Sequence, residues 1–171
     1  MSNLFLYLAT RARNSGFWRA VFSFLLNRKI PFNRGHKFKI VSLEDNVVRT
    51  TAPYRRSNHN HIRGIHACAL ATVAEFSAGL LLMQNFGPKK YRLIMSRMDI
   101  EYKYQAKKPV VSECRLPSSR IQKDILQPLQ KETAVDIVLE SRVVDTDDNL
   151  VAVAHTTWQI KRWDKVRTKV K

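Results

Sequence analysis

The segment Asn60-His-Ile-Arg-Gly-Ile-His66-Ala67 is followed by Cys-Ala-Leu-Ala-Thr-Val-Ala-Glu75. A polar, histidine-rich turn thus runs straight into small and apolar residues that carry one carboxylate. A loop feeding a helix N-terminus presents free backbone N–H groups, which suit a developing oxyanion. An acid on an apolar helix is costly to bury unless it has a partner or a chemical task. The two features side by side mark this segment as the place to look for chemistry. His59, His61 and His66 lie close together, but their spacing offers no third-ligand pattern, and no metal is expected. The everyday role for His66 is to bond backbone groups near the turn.

Spacing adds a constraint. Nine residues of α-helix turn about 900°, so His66 and Glu75 point to opposite sides, roughly 13 Å apart along the axis. They cannot share one site within one chain. If both act on one substrate, they come from different subunits, which implies a dimer with sites at the interface.

The elements that must position these residues follow from pattern. Residues 4–9 and 17–26 predict one or two amphipathic helices, ended by Pro31 and Gly35. They either cap the domain, the favoured reading, or make peripheral contact with a membrane surface. Residues 38–43 and Val47–Tyr54 predict two strands in hairpin relation around Glu44-Asp-Asn46. A polar loop over 55–64 leads to a helix over 65–86, stopped by Gly87-Pro88. Strands are then expected over 91–105, 110–116, 133–144 and 150–163. A short helix over 120–131 breaks near Pro128. In the last strand Ala152, Ala154, Thr156 and Trp158 alternate against Val151, Val153, His155 and Thr157. Strands on both sides of one helix that is apolar almost all round predict α+β, with a curved antiparallel sheet wrapping the helix.

At 171 residues, one domain with a proper core is expected. The net charge of +16 is the outlier, and it attracts polyanions: nucleic acid, anionic lipid or a phosphate-rich cofactor. Residues 1–35 hold six Arg or Lys and no acid, and the stretch from Lys161 to Lys171 is nearly as basic. No nucleic-acid-binding motif accompanies the charge, so no nucleic acid is expected as partner. Residues 4–9 lack the order of a signal peptide, and 17–26 are too short to span a bilayer. Residues 65–86 are long enough, but His66, Glu75 and Gln84 argue for a buried helix. Cys68 and Cys114 are far apart in apolar surroundings and are expected to be buried thiols in a reducing cytoplasm.

The sequence resembles the hotdog-fold thioesterases, in which a sheet wraps one long central helix and subunits pair edge to edge. Within them it is similar to the PaaI-like branch: an Asn, a His six residues on, a small residue, and an acid nine residues after the His. Here these are Asn60, His66, Ala67 and Glu75. The stretch Ile65-His-Ala-Cys-Ala-Leu70 … Ala74-Glu-Phe-Ser-Ala-Gly79 is closer still to the DUF4442 group, which has HA for HGG and Glu for Asp. Two departures stand out: Cys68 replaces the second Gly of HGG, and Arg63 occupies a position often held by Gly. The likeness implies a helical extension over 1–34, a hotdog domain over 35–163 and a basic tail over 164–171.

The resemblance implies a hydrolase for acyl-CoA or acyl-carrier-protein thioesters, with coenzyme A as part of the substrate and no separate cofactor. The Ala67 N–H would polarise the carbonyl with help from the helix dipole. Glu75 would be general base or nucleophile, beside the ordinary reading of a paired or solvated helix Glu. Asn60 would orient the water or the carbonyl, with Asn58 as rival in a slipped alignment. Ser96 would lend a hydroxyl. Arg55, Arg56, Arg63, Lys107 and Lys108 are candidates for the coenzyme A phosphates. The expected assembly is a homodimer or dimer of dimers. Two other functions fit: a non-catalytic hotdog module binding acyl chains or acyl-CoA, favoured by the missing glycines, and an enoyl-thioester hydratase or dehydratase using His66 and Glu75.

Overall fold

The computed structural model describes residues 2–166. Three helices come first: α1 (Ser2–Arg13), α2 (Gly16–Lys29) and α3 (Pro31–His36). The hairpin β1 (Lys39–Glu44) and β2 (Val47–Ala52) precedes the long helix α4 (Ala67–Phe86). Strands β3 (Tyr91–Tyr102), β4 (Val110–Arg115), β5 (Ala134–Asp145) and β6 (Leu150–Arg162) complete the chain. They form one antiparallel sheet in the order β1-β2-β4-β5-β6-β3. This is the hotdog arrangement, with α4 as the wrapped helix.

Helix α4 buries Leu70, Val73, Phe76, Ala78, Leu80, Leu81, Leu82 and Phe86, so apolar residues point in most directions and each finds cover. The sheet supplies much of it from alternating positions: Val135, Ile137 and Leu139 on β5, and Ala152, Ala154, Trp158 and Ile160 on β6. Among the described residues α4 is the one helix long and apolar enough to cross a membrane, and here it forms the core. It ends at Gly87, whose φ of 68° suits a residue without Cβ and whose N–H donates to Met83 O at 3.0 Å.

The N-terminal helices cap the domain. Phe5, Leu8, Ala9 and Ala12 of α1 and Phe22 and Leu26 of α2 join the core. Ser15 caps α2, its side chain accepting from Trp18 N at 3.4 Å. Helix α2 lies along β1 and takes up two backbone groups where that strand begins. Ile40 N–H donates to Ser23 Oγ at 2.9 Å, and Asn27 Nδ2 donates to Phe38 O at 2.6 Å. Arg13 pairs with Asp45 in the β1–β2 turn.

Several expectations shift. Pro31 starts α3 rather than ending α2, because proline at the first helical position loses no needed N–H. Gly35 lies inside α3, and the stop is Lys37 in the left-handed region. Helix α4 begins at Ala67 rather than 65, because His66 is the cap. Strand β3 ends at Tyr102 and β2 at Ala52, before Pro53. The short helix starts at Ser118, widens into a π-turn over Ile121–Leu126 and resumes as a 3-10 turn at Pro128. Cys114 is buried, but Cys68 is exposed, because it lies on the outer side of the first turn of α4, whose inner side buries Ala69 and Leu70. Of the basic C-terminal stretch, residues 167–171 lie outside the described residues.

Candidate active site

Glu75 sits in the middle of α4, half-buried. Burial removes water from its carboxylate and pushes its pKa from the usual 4.5 up to about 6. Room for the side chain comes from Gly79, one turn on. A Cβ there would stand 3.4 Å from Glu75 Oε1 and 3.2 Å from the Trp158 ring. The carboxylate therefore lies over a glycine and beside a buried indole.

The register of α4 at this point is fixed by hydroxyls from the sheet. Thr50 Oγ1 on β2 donates to Val73 O at 3.0 Å. Ser141 Oγ on β5 donates to Ala74 O at 3.1 Å, and Ser77 Oγ donates to the same carbonyl at 2.9 Å. Ser77 Oγ also meets Ser112 Oγ of β4 at 2.9 Å. All four hydroxyl residues are fully buried. These bonds hold the two residues just before Glu75, so they aim its side chain. Sequence reasoning did not find them, since Ser and Thr on a strand carry no mark of a distant partner.

Glu75 opens onto a cavity of about 210 Å³ between α4 and the N-terminal helices. Leu26, Ile30 and Phe32 form one wall, and Thr72, Phe76, Gly79, Leu80 and Met83 form the other. A larger hollow of about 560 Å³ lies past Met83, bounded by Tyr91, Leu93, Ile94 and Trp163. It has no carboxylate, so the smaller cavity is the chemical candidate. The contribution of α2 and α3 to this wall was not visible in the sequence, because it joins residues some fifty positions apart.

The turn before α4 is a separate assembly. Asn60 Oδ1 accepts from Ile62 N at 3.1 Å and Gly64 N at 2.9 Å, which shapes the loop. Ile65 N–H donates to Ala106 O at 2.8 Å and ties the loop to the segment after β3. Arg63 adopts a φ of 59°, the left-handed conformation in which glycine costs least. Tyr54 Oη donates to Arg63 O at 2.6 Å and helps to hold that conformation. His66 Nδ1 accepts from Cys68 N at 3.1 Å, so its ring caps the helix. Ala67 is the first helical residue, exposed, with its N–H at the positive end of the dipole. Tyr102 Oη of β3 donates to Ala67 O at 3.2 Å, a neighbour that sequence reasoning missed. Asn58 is wholly structural: buried, it meets His36 Nδ1 at 2.8 Å and donates to Pro53 O at 2.9 Å.

The structure thus brings Asn60, His66 and Ala67 together at one end of α4 and sets Glu75 apart in the cavity. Ser96 joins neither group. It sits exposed on a bulge of β3, with its Oγ donating to Thr157 O at 3.3 Å. Arg55, Arg56 and Arg63 are exposed around the turn. Lys107 is exposed, and Lys108 is paired with Asp147. Among the described residues no group of three His, Cys, Asp or Glu side chains could hold a metal ion.

Comparisons with known proteins agree with this architecture. The family model described as Domain of unknown function (DUF4442) matches residues 19–160. The uncharacterized protein MJ0580 of Methanocaldococcus jannaschii is 27% identical over 89 residues, 52% of this chain and 74% of that protein. Among solved structures, PA5026 of Pseudomonas aeruginosa, described as a protein of unknown function and "Probable Thioesterase", is 27% identical with a TM-score of 0.74. The match covers 81% of this chain and 91% of that one. Thioesterase HI1161 of Haemophilus influenzae is 10% identical with a TM-score of 0.63, covering 80% and 88% of the two chains, and shares the fold.

Proposed function

The chain belongs to the DUF4442 family, and from that premise we propose that it is a thioester hydrolase acting on acyl-CoA or acyl-carrier-protein substrates. One observation carries the proposal: a single carboxylate, Glu75, held over Gly79 in an apolar cavity and pushed up to about 6. At neutral pH such a group is ionised yet a stronger base than a solvated Glu. It takes a proton from a water as that water's oxygen attacks the thioester carbonyl. The oxyanion is met by the Ala67 N–H of a second subunit. Collapse breaks the C–S bond, and the thiolate leaves with the proton from Glu75. Leu26, Ile30 and Phe32 would take the start of the acyl chain. Among the described residues Arg55, Arg56, Arg63 and Lys107 form no ion pair and would meet phosphates, whereas Lys108 is engaged by Asp147.

The two-subunit site rests on the separation of Glu75 from the turn. A second support is β3, a sheet edge with exposed Ile94, Met95 and Tyr102. Pairing of β3 with the same strand of another copy would bring the Tyr102 end, and with it the Ala67 turn, toward the partner.

The test is release of free thiol from acyl-CoA substrates over a range of chain lengths, by wild type and Glu75→Gln. Turnover is expected, with a loss of ~10²–10⁴ in the variant. Acyl-CoA binding without release would identify a non-catalytic module. Water addition to an enoyl thioester that stays intact would identify a hydratase. Near-normal hydrolysis by a folded Glu75→Gln protein would sink the assignment of the base.

A further inference from the structure

Helices α1 and α2 each have two apolar sides. The inner one is in the core. The outer one is not covered: Phe17 is 70% exposed, Phe24 65% and Leu4 56%. On α2, Phe17, Ala20, Phe24 and Arg28 follow at intervals of three and four, so they form one stripe, opposite buried Phe22, Ser23 and Leu26. On α1, Leu4, Tyr7 and Arg11 form a matching stripe. The stripes meet through aromatic rings: Tyr7 lies 5.9 Å from Trp18, and Trp18 5.7 Å from Phe17.

The helices carry cations and no acid of their own: Arg11 lies on the α1 stripe, Arg28 and Lys29 close α2, Arg34 lies in α3, Lys37 and Lys39 follow it, and no acid precedes Glu44. Among the described residues none of these six forms an ion pair. Asp45 of the β1–β2 turn, which reaches α1, is taken up by Arg13. An ordinary water-facing helix would present mixed charges in place of Phe and Leu. Apolar and aromatic side chains together with unpaired cations are the composition of a helix that lies in a lipid headgroup layer.

We propose that the outer face of α1 and α2 docks on an anionic lipid bilayer, with Leu4, Phe17 and Phe24 entering the headgroup boundary and Arg28 and Lys29 meeting lipid phosphates. A second copy is disfavoured as occupant, because two such faces would set Arg28 and Lys29 against like charges. Nucleic acid would satisfy the cations but not Leu4, which offers no stacking face. The docking does not depend on the hydrolase assignment. If both hold, the wall of the Glu75 cavity formed by Leu26, Ile30 and Phe32 belongs to the same helical layer that touches the lipid.

The test is flotation of the full chain with vesicles of phosphatidylcholine alone, or with roughly a third phosphatidylglycerol. The protein should float with the anionic vesicles and remain below with the neutral ones. The double variant Phe17→Ser/Phe24→Ser should lose affinity by on the order of tenfold or more, with an unchanged circular dichroism spectrum, since both rings are exposed. Arg28→Glu/Lys29→Glu should weaken binding in low salt and narrow the effect of added salt. Three results would overturn the proposal: no flotation with anionic vesicles, equal flotation of the double Phe variant, or a self-association that the Phe substitutions abolish while lipid binding stays intact.

Discussion

Replacing Glu75 with Gln should make the protein more stable while it removes the proposed base. Burial alone raises the carboxyl's pKa from 4.5 to about 6. Its folded-state value exceeds its unfolded one, so the folded protein holds the proton more tightly. Below about pH 4.5 the group is protonated in both states and costs nothing. As pH rises from 4.5 to about 6 the unfolded chain gives up its proton freely and the folded chain does not, so wild-type stability falls across that window. Above it the penalty is constant. At about 1.36 kcal/mol for each factor of ten in proton affinity, the full figure is about 2 kcal/mol. The partial solvent exposure of the side chain trims it to about 1–2 kcal/mol. Gln keeps the shape and carries no charge, so the variant should melt about 2–8 °C higher at pH 8, given the response of domains of this size. The gain should vanish at pH 4. Thermal melts of both proteins at the two pH values decide the matter. Equal melting at pH 8 would mean that the carboxylate is not desolvated, and a gain that persists at pH 4 would trace to packing instead of charge.

Three other outcomes follow from the same geometry. Ser23→Ala removes the acceptor for Ile40 N–H and should cost about 1–3 kcal/mol in denaturant unfolding. Arg63→Val should destabilise by about 1–2 kcal/mol, because a β-branched residue resists a φ of 59°, whereas Arg63→Gly should be neutral or stabilising in the same measurement. If the site spans two subunits, Asn60→Ala and Glu75→Gln proteins, each inactive, should recover roughly a quarter of wild-type thiol release when mixed and re-equilibrated, by simple additivity of independent sites. No recovery after proven exchange would place the whole site in one chain.

Local signals carried most of the fold. The apolar run before Gly87-Pro88, the Glu44-Asp-Asn46 turn and the alternation through Trp158 each act within a few residues, so they are legible without partners. Misreadings arose where a residue does an uncommon job. Helix α4 starts at Ala67 and not at 65, because His66, which bonds a backbone N–H near the turn as expected, does so as a cap, usually the work of Ser, Thr, Asp or Asn. Pro31 starts a helix where it looked like a stop. At the site, Glu75 stood out as the lone acid on an apolar helix, while Asn60 and Ala67 were singled out through the family resemblance. Thr50, Ser141 and Tyr102 were not, because their roles depend on contacts across 23, 67 and 35 residues of chain. Ser96, named through the resemblance, sits on the β3 bulge with its hydroxyl on the backbone of β6.

The contact of α2 with β1 has a consequence for how far copies of this chain can propagate. A sheet with two bare edges can recruit a neighbour at each end and grow without limit. Here α2 packs along β1, with Ser23 taking the Ile40 N–H and Asn27 the Phe38 carbonyl, so a neighbour is obstructed at that end and β3 is the approachable edge. Any strand pairing through β3 is then a self-complementary handshake that leaves no edge to continue it. A chain whose α2 was displaced, by Ser23 and Asn27 substitutions together, would gain a second sticky end and with it a route from a closed pair to fibres.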